Sequence, residues 1–575
     1  MGDIVSKFDE LITTYDYLFT KQYRIDESGV THGQYEREKD TFKSDATVSQ
    51  KPILPVAILD NLDNEVQKVE VAWWEAEKGK WVRTVTNRET LVNSSKITKL
   101  ADRGVPVGSQ NSKSMSNYFN TLLCEFDGKL PRKPARSVMG WCELDDRLLF
   151  MPYTDLVDFD GGDEYKAEYK AIRNKGTLNA WIERLEPLRV SMEVRLMMAA
   201  SFASPLIHLI QENPFVFHLY GGSGSGKTVC MLLAMSIWGD PDQGKLTRSM
   251  NTTINAMMER ATFLNSLPYA GDELQTIKSR WTGTYDSLIM QITEGINRGR
   301  MKNNELQEMR SWKCAFLITG EEPCVKATSG GGVVNRCIQV EIKTPVFDKT
   351  GPDSGNKVAN FARTHFGNAG VAYIERVQAV NAGLAPVDYT IKSLYDEYYT
   401  ELVGGDTTEK QAGAMALILT GDRIAHDLFW NGEEDPKIHG EERLTPELVT
   451  EFLATKGQVD VAKRAYQYIL GVIAENSLNF ISGSRVVWGK VDDCDPPTRV
   501  DFVKTVLERV LSDAGFDFDA IKKRWVNSGY IEYNETRHGY ASLTRIGGIP
   551  TLCVRINLPK SDPELADYNG PVPFK

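Results

Sequence analysis

The chain has 575 residues, too many for one hydrophobic core, so about three or four domains are expected. Charged residues at 25% and hydrophobic ones at 41% exclude a disordered or fibrous chain. Lysine and arginine total 67 against 78 aspartates and glutamates, a net charge of -11, which excludes coating nucleic acid with an overall positive surface and leaves only local basic contacts, as in a channel.

Residues 1–46 are charged and weakly patterned, with a helical reading over "DIVSKFDELITTYDYLF" (Asp3 to Phe19). Residues 47–190 read as an N-terminal β-rich α+β domain, in which Val66 to Leu91 alternate apolar and polar residues around Lys78-Gly79-Lys80 and predict a hairpin packed by Trp73, Trp74 and Trp81.

The chemistry concentrates in residues 191–345. Gly221-Gly222-Ser223-Gly224-Ser225-Gly226-Lys227-Thr228 fits G-x-x-x-x-G-K-[ST], a loop whose backbone N–H groups can curl around phosphate oxygens. Lys227 would reach the outer phosphates of ATP, and the Thr228 hydroxyl would hold Mg2+. A glycine–serine turn alone gives the same composition. Here an apolar strand (Pro214 to Tyr220) precedes the loop and an apolar helix (Thr228 to Trp238) succeeds it, the order that phosphate binding at a helix N-terminus requires.

Downstream, Leu264 to Ala270 predicts a neighbouring strand that delivers Asp272 as a metal ligand and Glu273 as the group that polarises water. "CAFLITGEEP" (Cys314 to Pro323) is a third strand, with Thr319 placed to sense the γ-phosphate or to orient water. Arg336 lies between a glycine turn and a fourth apolar run, where it would complete a neighbouring subunit's site. "NRGRMKNN" suggests a hairpin that lowers Arg298, Arg300 and Lys302 toward DNA.

Residues 346–475 read as a helical lid and linker: Thr344 to Ala362 has linker composition, and "KQAGAMALILTGDRIAHDLFW" is a helix. Arg376 and Arg423 are two candidate site arginines of that region, neither in a clear motif. In residues 476–575 a helix over Val500 to Phe516, a second over Asp517 to Gly529 and a strand, long turn and strand over Tyr530 to Leu558 predict a winged helix, with Lys522, Lys523 and Arg524 on its last helix facing DNA or another subunit.

The eight cysteines form no C-x-x-C pair, so neither a zinc ribbon nor a disulfide framework is expected. No stretch reaches the roughly 18 to 20 uninterrupted apolar residues of a membrane span, so a cytoplasmic protein with no membrane partner is expected.

The order of phosphate loop, Asp-Glu pair, Thr-Gly-Glu strand and Asn-Arg resembles the AAA+ ATPases. More narrowly, "RSMNTTINAMMERATFLNSLPYAGDEL", "ITEGINRGRMKNNELQEMRSWKCAFLITGEEP", "RGVPV" and "VMGWCELDDRLLFMPY" resemble the replicative helicases of bacterial mobile elements and phages, relatives of the minichromosome-maintenance helicases, over residues 50 to 345. The resemblance implies an α/β chain with a P-loop AAA+ core, a hexameric ring around DNA, ATP at each subunit interface and Arg336 acting in trans. One departure stands out: those helicases usually carry asparagine where this chain has Thr319. The expected function is an ATP-driven helicase of the bacterial cytoplasm, acting on a single strand in a central pore and on forked duplex, with other replication proteins as partners. A replication initiator or helicase loader, and a regulatory DNA-binding ring with vestigial hydrolysis, are the alternatives.

Overall fold

The computed structural model describes residues 8, 11, 20–36, 39, 41–64, 66–279, 283–297, 301–302, 305–306, 310–326, 329–430, 444–481, 484–494, 497–535 and 539–559. The chain is mixed α/β and divides into two compact units, Met1–Lys170 and Ala171–Lys575.

In the first unit the helical reading of Asp3 to Phe19 falls almost wholly outside the described residues. Past it the chain is extended. Tyr23–Asp26, Gly29–Glu36 and Thr41–Ser49 form a three-stranded antiparallel sheet that crosses the expected boundary at residue 46. Gly29, at φ 134°, makes the first turn, and an added Cβ there would lie 2.0 Å from the Ser49 carbonyl oxygen. A second, five-stranded sheet has the order Asp158–Phe159, Arg132–Arg136, Ile53–Asn61, Gln67–Glu75, Lys80–Asn87. Its last two strands are the expected hairpin, turned at Gly79 with φ 58°. Trp73 is buried, and Trp74 and Trp81 meet edge to face across the strands at 5.5 Å. Helix Ser112–Glu125 closes the core, and its Tyr118 hydroxyl donates to the Ile53 carbonyl at 2.6 Å.

The second unit is built on five parallel strands: β1 (Val216–Gly221), β2 (Thr247–Ser249), β3 (Tyr269–Asp272), β4 (Phe316–Gly320) and β5 (Cys337–Ile342). Their spatial order is β2-β3-β4-β1-β5. A parallel sheet must be covered on both faces, and α1 (Met192–Ile210), α2 (Lys227–Ser236) and α3 (Ile254–Leu264) supply much of that cover. The expected strand over Leu264 to Ala270 is shorter. Thr253 caps α3 through the Ala256 N–H, the helical period carries on to Leu264, and Asn265 at φ 50° breaks it, so β3 begins only at Tyr269.

By length and composition α1 is apolar enough to cross a membrane, but its residues from Val194 to Ile207 are buried inside the unit. Its small polar groups satisfy orphan backbone: Ser201 bonds the Ala234 carbonyl, and Ser204 bonds both the Ser266 carbonyl and the Ala315 N–H. Helix α4 (Glu409–Phe429) packs along it. The two backbones meet at Gly421, where an added Cβ would lie 2.8 Å from the Ala203 nitrogen. At its start α4 bonds the carbonyls of Val334 and Cys337 through Gln411, so it abuts the strand beginnings there.

Two boundaries differ from expectation. Helix Leu178–Leu185 belongs to the second unit, where Trp181 donates to Ser236 Oγ at 2.9 Å, so the division falls at 170/171 and not 190/191. The C-terminal module begins before 476, because its core includes α5 (Val461–Glu475), whose Ala462 carbonyl accepts from buried Trp525 at 2.7 Å. Around α5 stand β6 (Gly489–Val491), β7 (Arg499–Val503), α6 (Lys504–Asp513), α7 (Phe518–Asn527), β8 (Ser542–Ile546) and β9 (Ile549–Asn557), with antiparallel order β6-β7-β9-β8. Val500 to Val503 therefore alternate as a strand instead of opening a helix. The wing is a tight hairpin at Gly547-Gly548, both at positive φ, instead of a long turn between strands.

The contact at Gly421 generates a test. Gly421→Val has to force α1 and α4 apart, which costs about 2–3 kcal/mol, while Gly471→Val, inside α5 and with nothing within 4 Å, leaves packing alone. Thermal melts should show a clear fall for the first variant only.

Candidate functional site

β1 delivers the chain into the glycine-rich turn at Gly221. Its φ of 153° and the Ile342 carbonyl oxygen 2.7 Å from an added Cβ leave no room for a side chain. Gly224 and Gly226 adopt the left-handed region at φ 77° and 106°, which curls the backbone so that α2 starts at Lys227. The Lys227 ammonium folds onto the loop, donating to the carbonyls of Gly221 and Gly222, each at 2.8 Å, and to Ser225 Oγ at 3.4 Å. Burial holds its pKa below the usual lysine range, and the negative charges of Glu321, Asp272 and Glu273 work against that shift.

The stretch with linker composition takes part in this geometry. The Val346 N–H donates to the Ser225 carbonyl at 3.0 Å, and the Phe347 ring sits where a Cβ on Gly226 would reach it at 2.8 Å. Helix Gly355–Ala362 then packs on α2. Proline and glycine here shape a closely held loop, and composition alone reads that as a spacer.

Asp272 ends β3 and is 5% exposed. Thr228 Oγ1 lies 3.3 Å from both carboxylate oxygens, Thr319 donates a short hydrogen bond to Oδ1, and Gln243 Nε2 donates to Oδ2 at 3.0 Å. The Thr319 hydroxyl also accepts from the Glu273 N–H at 3.1 Å, so it ties the two acids together. Glu273 is exposed at φ 62°. Thr228, Asp272, Glu273 and Thr319 are thus brought together beside the loop that holds Lys227.

His218, in the middle of β1, is fully buried between the Glu322 and Ile318 carbonyls at 3.0 and 3.3 Å. A neutral imidazole donates once, and the shorter contact assigns the proton to Nε2. Burial pushes its pKa down to about 4. Sequence reading missed His218, Gln243, Val346 and Phe347, because none belongs to a local motif and only tertiary contact reveals them.

Arg336 occupies the opposite end of the sheet. Its carbonyl accepts from the Val216 N–H at 2.9 Å, and β1 then runs in register with β5 until Gly221 meets Ile342. At about 3.3 Å per residue this puts Arg336 roughly 20 Å from the loop of its own chain. Its guanidinium contacts Met290 Sδ at 2.7 Å and the Gly332 carbonyl at 3.3 Å.

Among the expected DNA contacts, Arg298 and Arg300 lie outside the described residues. Lys302 falls in a two-stranded antiparallel ladder, Met301–Lys302 with Glu305–Leu306, as a hairpin requires. On α7, Lys522 pairs with Asp519 and Arg524 pairs with Asp460 at 2.8 Å, while Lys523 is exposed. Arg423 is bonded to Asp427 at 2.7 Å.

The depressed pKa of His218 fixes the sign of a pH effect. Above the ordinary value of about 6.5 the imidazole is neutral in both folded and unfolded chains. As pH falls from about 6.5 toward 4 the unfolded chain takes up a proton that the folded chain refuses, so stability drops by on the order of 3 kcal/mol. His426, also pushed down to about 4 by burial, adds to the same limb. Denaturation followed at pH 7.5 and 5 should show about 2 kcal/mol of this loss from His218, and His218→Gln should remove that part of it. An unchanged pH profile would contradict the buried neutral imidazole.

Comparison with known proteins adds family and fold. A family model described as "Domain of unknown function (DUF927)" matches residues 23–311, and one described as "Cch helix turn helix domain" matches residues 460–561. No curated protein matches the chain. Among solved structures, "SCCmec type IV Cch - active helicase" superimposes with a TM-score of 0.68 over 94% of this chain and 98% of that one, at 17% identity. The apo NrS-1 C-terminal region aligns over 87% and 96% of the two chains at 11% identity with a TM-score of 0.32, too low to carry an argument. The expected likeness to helicases of mobile elements therefore holds at the level of the fold, and with more than half of its length under the first model this chain belongs to the DUF927 family.

Proposed function

We propose that this protein is an ATP-dependent DNA helicase, a ring-forming AAA+ motor of the kind related to the minichromosome-maintenance helicases. The observation that carries this reading is the convergence of Thr228, Asp272, Thr319 and the Glu273 backbone beside a glycine-rich loop at the C-terminal end of a parallel sheet ordered β2-β3-β4-β1-β5. A solved neighbour of the same fold, described as an active helicase, supports it.

The donor set fits Mg-ATP. The hydroxyl of Thr228 and the carboxylate of Asp272, 3.3 Å apart, are hard oxygen ligands of the kind magnesium takes, and backbone N–H groups from Gly222 to Thr228 would cradle the phosphates. Bound there, the metal ion would neutralise phosphate charge during transfer. Lys227 would exchange its bonds to the Gly221 and Gly222 carbonyls for the outer phosphates. Glu273, exposed and with its backbone pinned by Thr319, would orient water and take its proton. The partly buried Phe347 ring beside Gly226 would offer the nucleobase an apolar wall. Arg336, about 20 Å away from its own loop, would serve a neighbouring subunit's nucleotide, which makes a ring, here a hexamer, part of the chemistry. DNA would pass as a single strand through the central pore past the basic segment of Arg298, Arg300 and Lys302, with Lys522, Lys523 and Arg524 as a second contact.

The test is unwinding of a forked duplex with ATP turnover followed in the same samples. Wild type should unwind. Lys227→Ala and Arg336→Ala should lose hydrolysis, the latter by about 10³-fold or more as for other trans-acting arginines. Mixing Arg336→Ala into wild type should depress activity faster than dilution. Turnover without unwinding of long duplexes would instead establish an initiator or loader, and ATP binding without turnover a regulatory ring.

A further inference from the structure

We propose that Gln243 is a positioning residue of the nucleotide site: its side-chain amide holds Asp272 in the orientation needed to receive the magnesium of Mg-ATP. The inference rests on the reading of the loop at Gly221 to Thr228 as a nucleotide site.

Asp272 is held by donors from three separate stretches of chain. Thr228 belongs to α2 and Thr319 to β4, while Gln243 comes from the turn that joins α2 to β2. Thr319 is committed on both sides of its hydroxyl, giving its proton to Asp272 and accepting from the Glu273 N–H, and it is 1% exposed. Its geometry is therefore that of an internal brace. Gln243 approaches from the other side. It is an exposed residue whose Nε2 donates to Asp272 Oδ2 at 3.0 Å, on the oxygen that Thr319 leaves.

The turn that carries it is built to hold that amide still. Asp240 pairs with Arg173 at 3.3 Å, and its N–H donates to the Ala171 carbonyl at 2.8 Å. Asp242 pairs with Arg363 at 2.9 Å and accepts from the Lys245 N–H at 3.0 Å through its carbonyl. Gly244, at φ 80°, donates to the Thr247 carbonyl at 2.9 Å, where the chain enters β2 beside β3. Both neighbours of Gln243 are thus anchored, and only its flexible side chain faces the site. A solvent-exposed glutamine with no packing role contributes little to folding. An ordered donor on a metal-binding carboxylate instead fixes which lone pairs face the metal, the usual task of a group one layer behind the ligand.

The experiment compares wild type, Gln243→Ala and Gln243→Glu in three measurements: titration of a fluorescent ATP analogue in Mg2+ and in EDTA, the Mg2+ concentration that half-saturates ATP hydrolysis, and thermal melting. Gln243→Ala should raise the half-saturating Mg2+ concentration and the Mg2+-dependent nucleotide Kd by roughly tenfold, leave the Kd in EDTA within about twofold and leave melting unchanged. Gln243→Glu, which sets a second carboxylate beside Asp272, should lose at least as much in Mg2+-dependent nucleotide binding while melting as wild type does. An unaltered Mg2+ dependence in Gln243→Ala would overturn the inference, as would an equal loss in Mg2+ and EDTA. Failure of wild type itself to bind the analogue in Mg2+ would overturn the nucleotide reading beneath it, a result distinct from either of these.

Discussion

A buried carboxylate must be hydrogen-bonded or paired, and the way Asp272 meets that demand fixes most of the second unit. At 5% exposure it takes its donors from α2, β4 and the turn before β2. Those bonds are possible only if β3 lies between β2 and β4 and if α2 starts beside the end of β3. The glycine-rich loop, the acid pair and the Thr319 strand are consequently one object. Displacing any of these segments by a fraction of a hydrogen-bond length would leave a charge without its donors, which costs far more than a lost surface contact.

The same unit answers a second electrostatic demand at its base. Asp422 of α4 is 1% exposed and bonded by Arg189 at 2.9 Å and Arg195 at 3.2 Å, with the Arg189 guanidinium stacked on Trp430 at 3.8 Å. The two arginines hold its carboxyl below the usual carboxylate range against the opposing effect of burial. A buried ion cluster of this kind adds little net stability, but breaking it is costly, so it ties α4 to α1 in one register. The close approach at Gly421 works in the same sense, since it fixes the spacing of the two helices.

What could be read from the residues was local. Glycine spacing, an apolar run on each side and an acid pair after a further apolar run locate Gly221 to Thr228, Asp272 and Glu273, because each signal is complete within a few residues. Period failed where two elements compete for a short apolar run. Leu264 to Ala270 contains both the end of α3 and the start of β3, and Val500 to Val503 precede a true helix closely enough to look like its first turn. Composition failed at Thr344 to Ala362, where proline and glycine shape a loop held against Ser225 and Gly226. Gln243 and His218 carry no sequence signal at all, since their partners lie 29 and 100 residues away.

The charge balance of the C-terminal module bears on how it meets a polyanion. Of the three cations expected to face DNA on α7, Lys522 and Arg524 already have carboxylate partners, Asp519 and Asp460. Surface pairs of this kind are worth about 0–1 kcal/mol, so a phosphate can displace the carboxylate, but the cation gains only the difference between the two partners. A displaced aspartate left near the phosphate then repels it. In a chain of net charge -11 such pre-pairing would make α7 a weak and salt-sensitive contact for DNA by itself. On the proposed function, firm binding to a strand would have to come from repetition, many copies of a modest contact arranged around one DNA, and the proposed ring, in which each interface would take Arg336 from a neighbour, would supply that repetition.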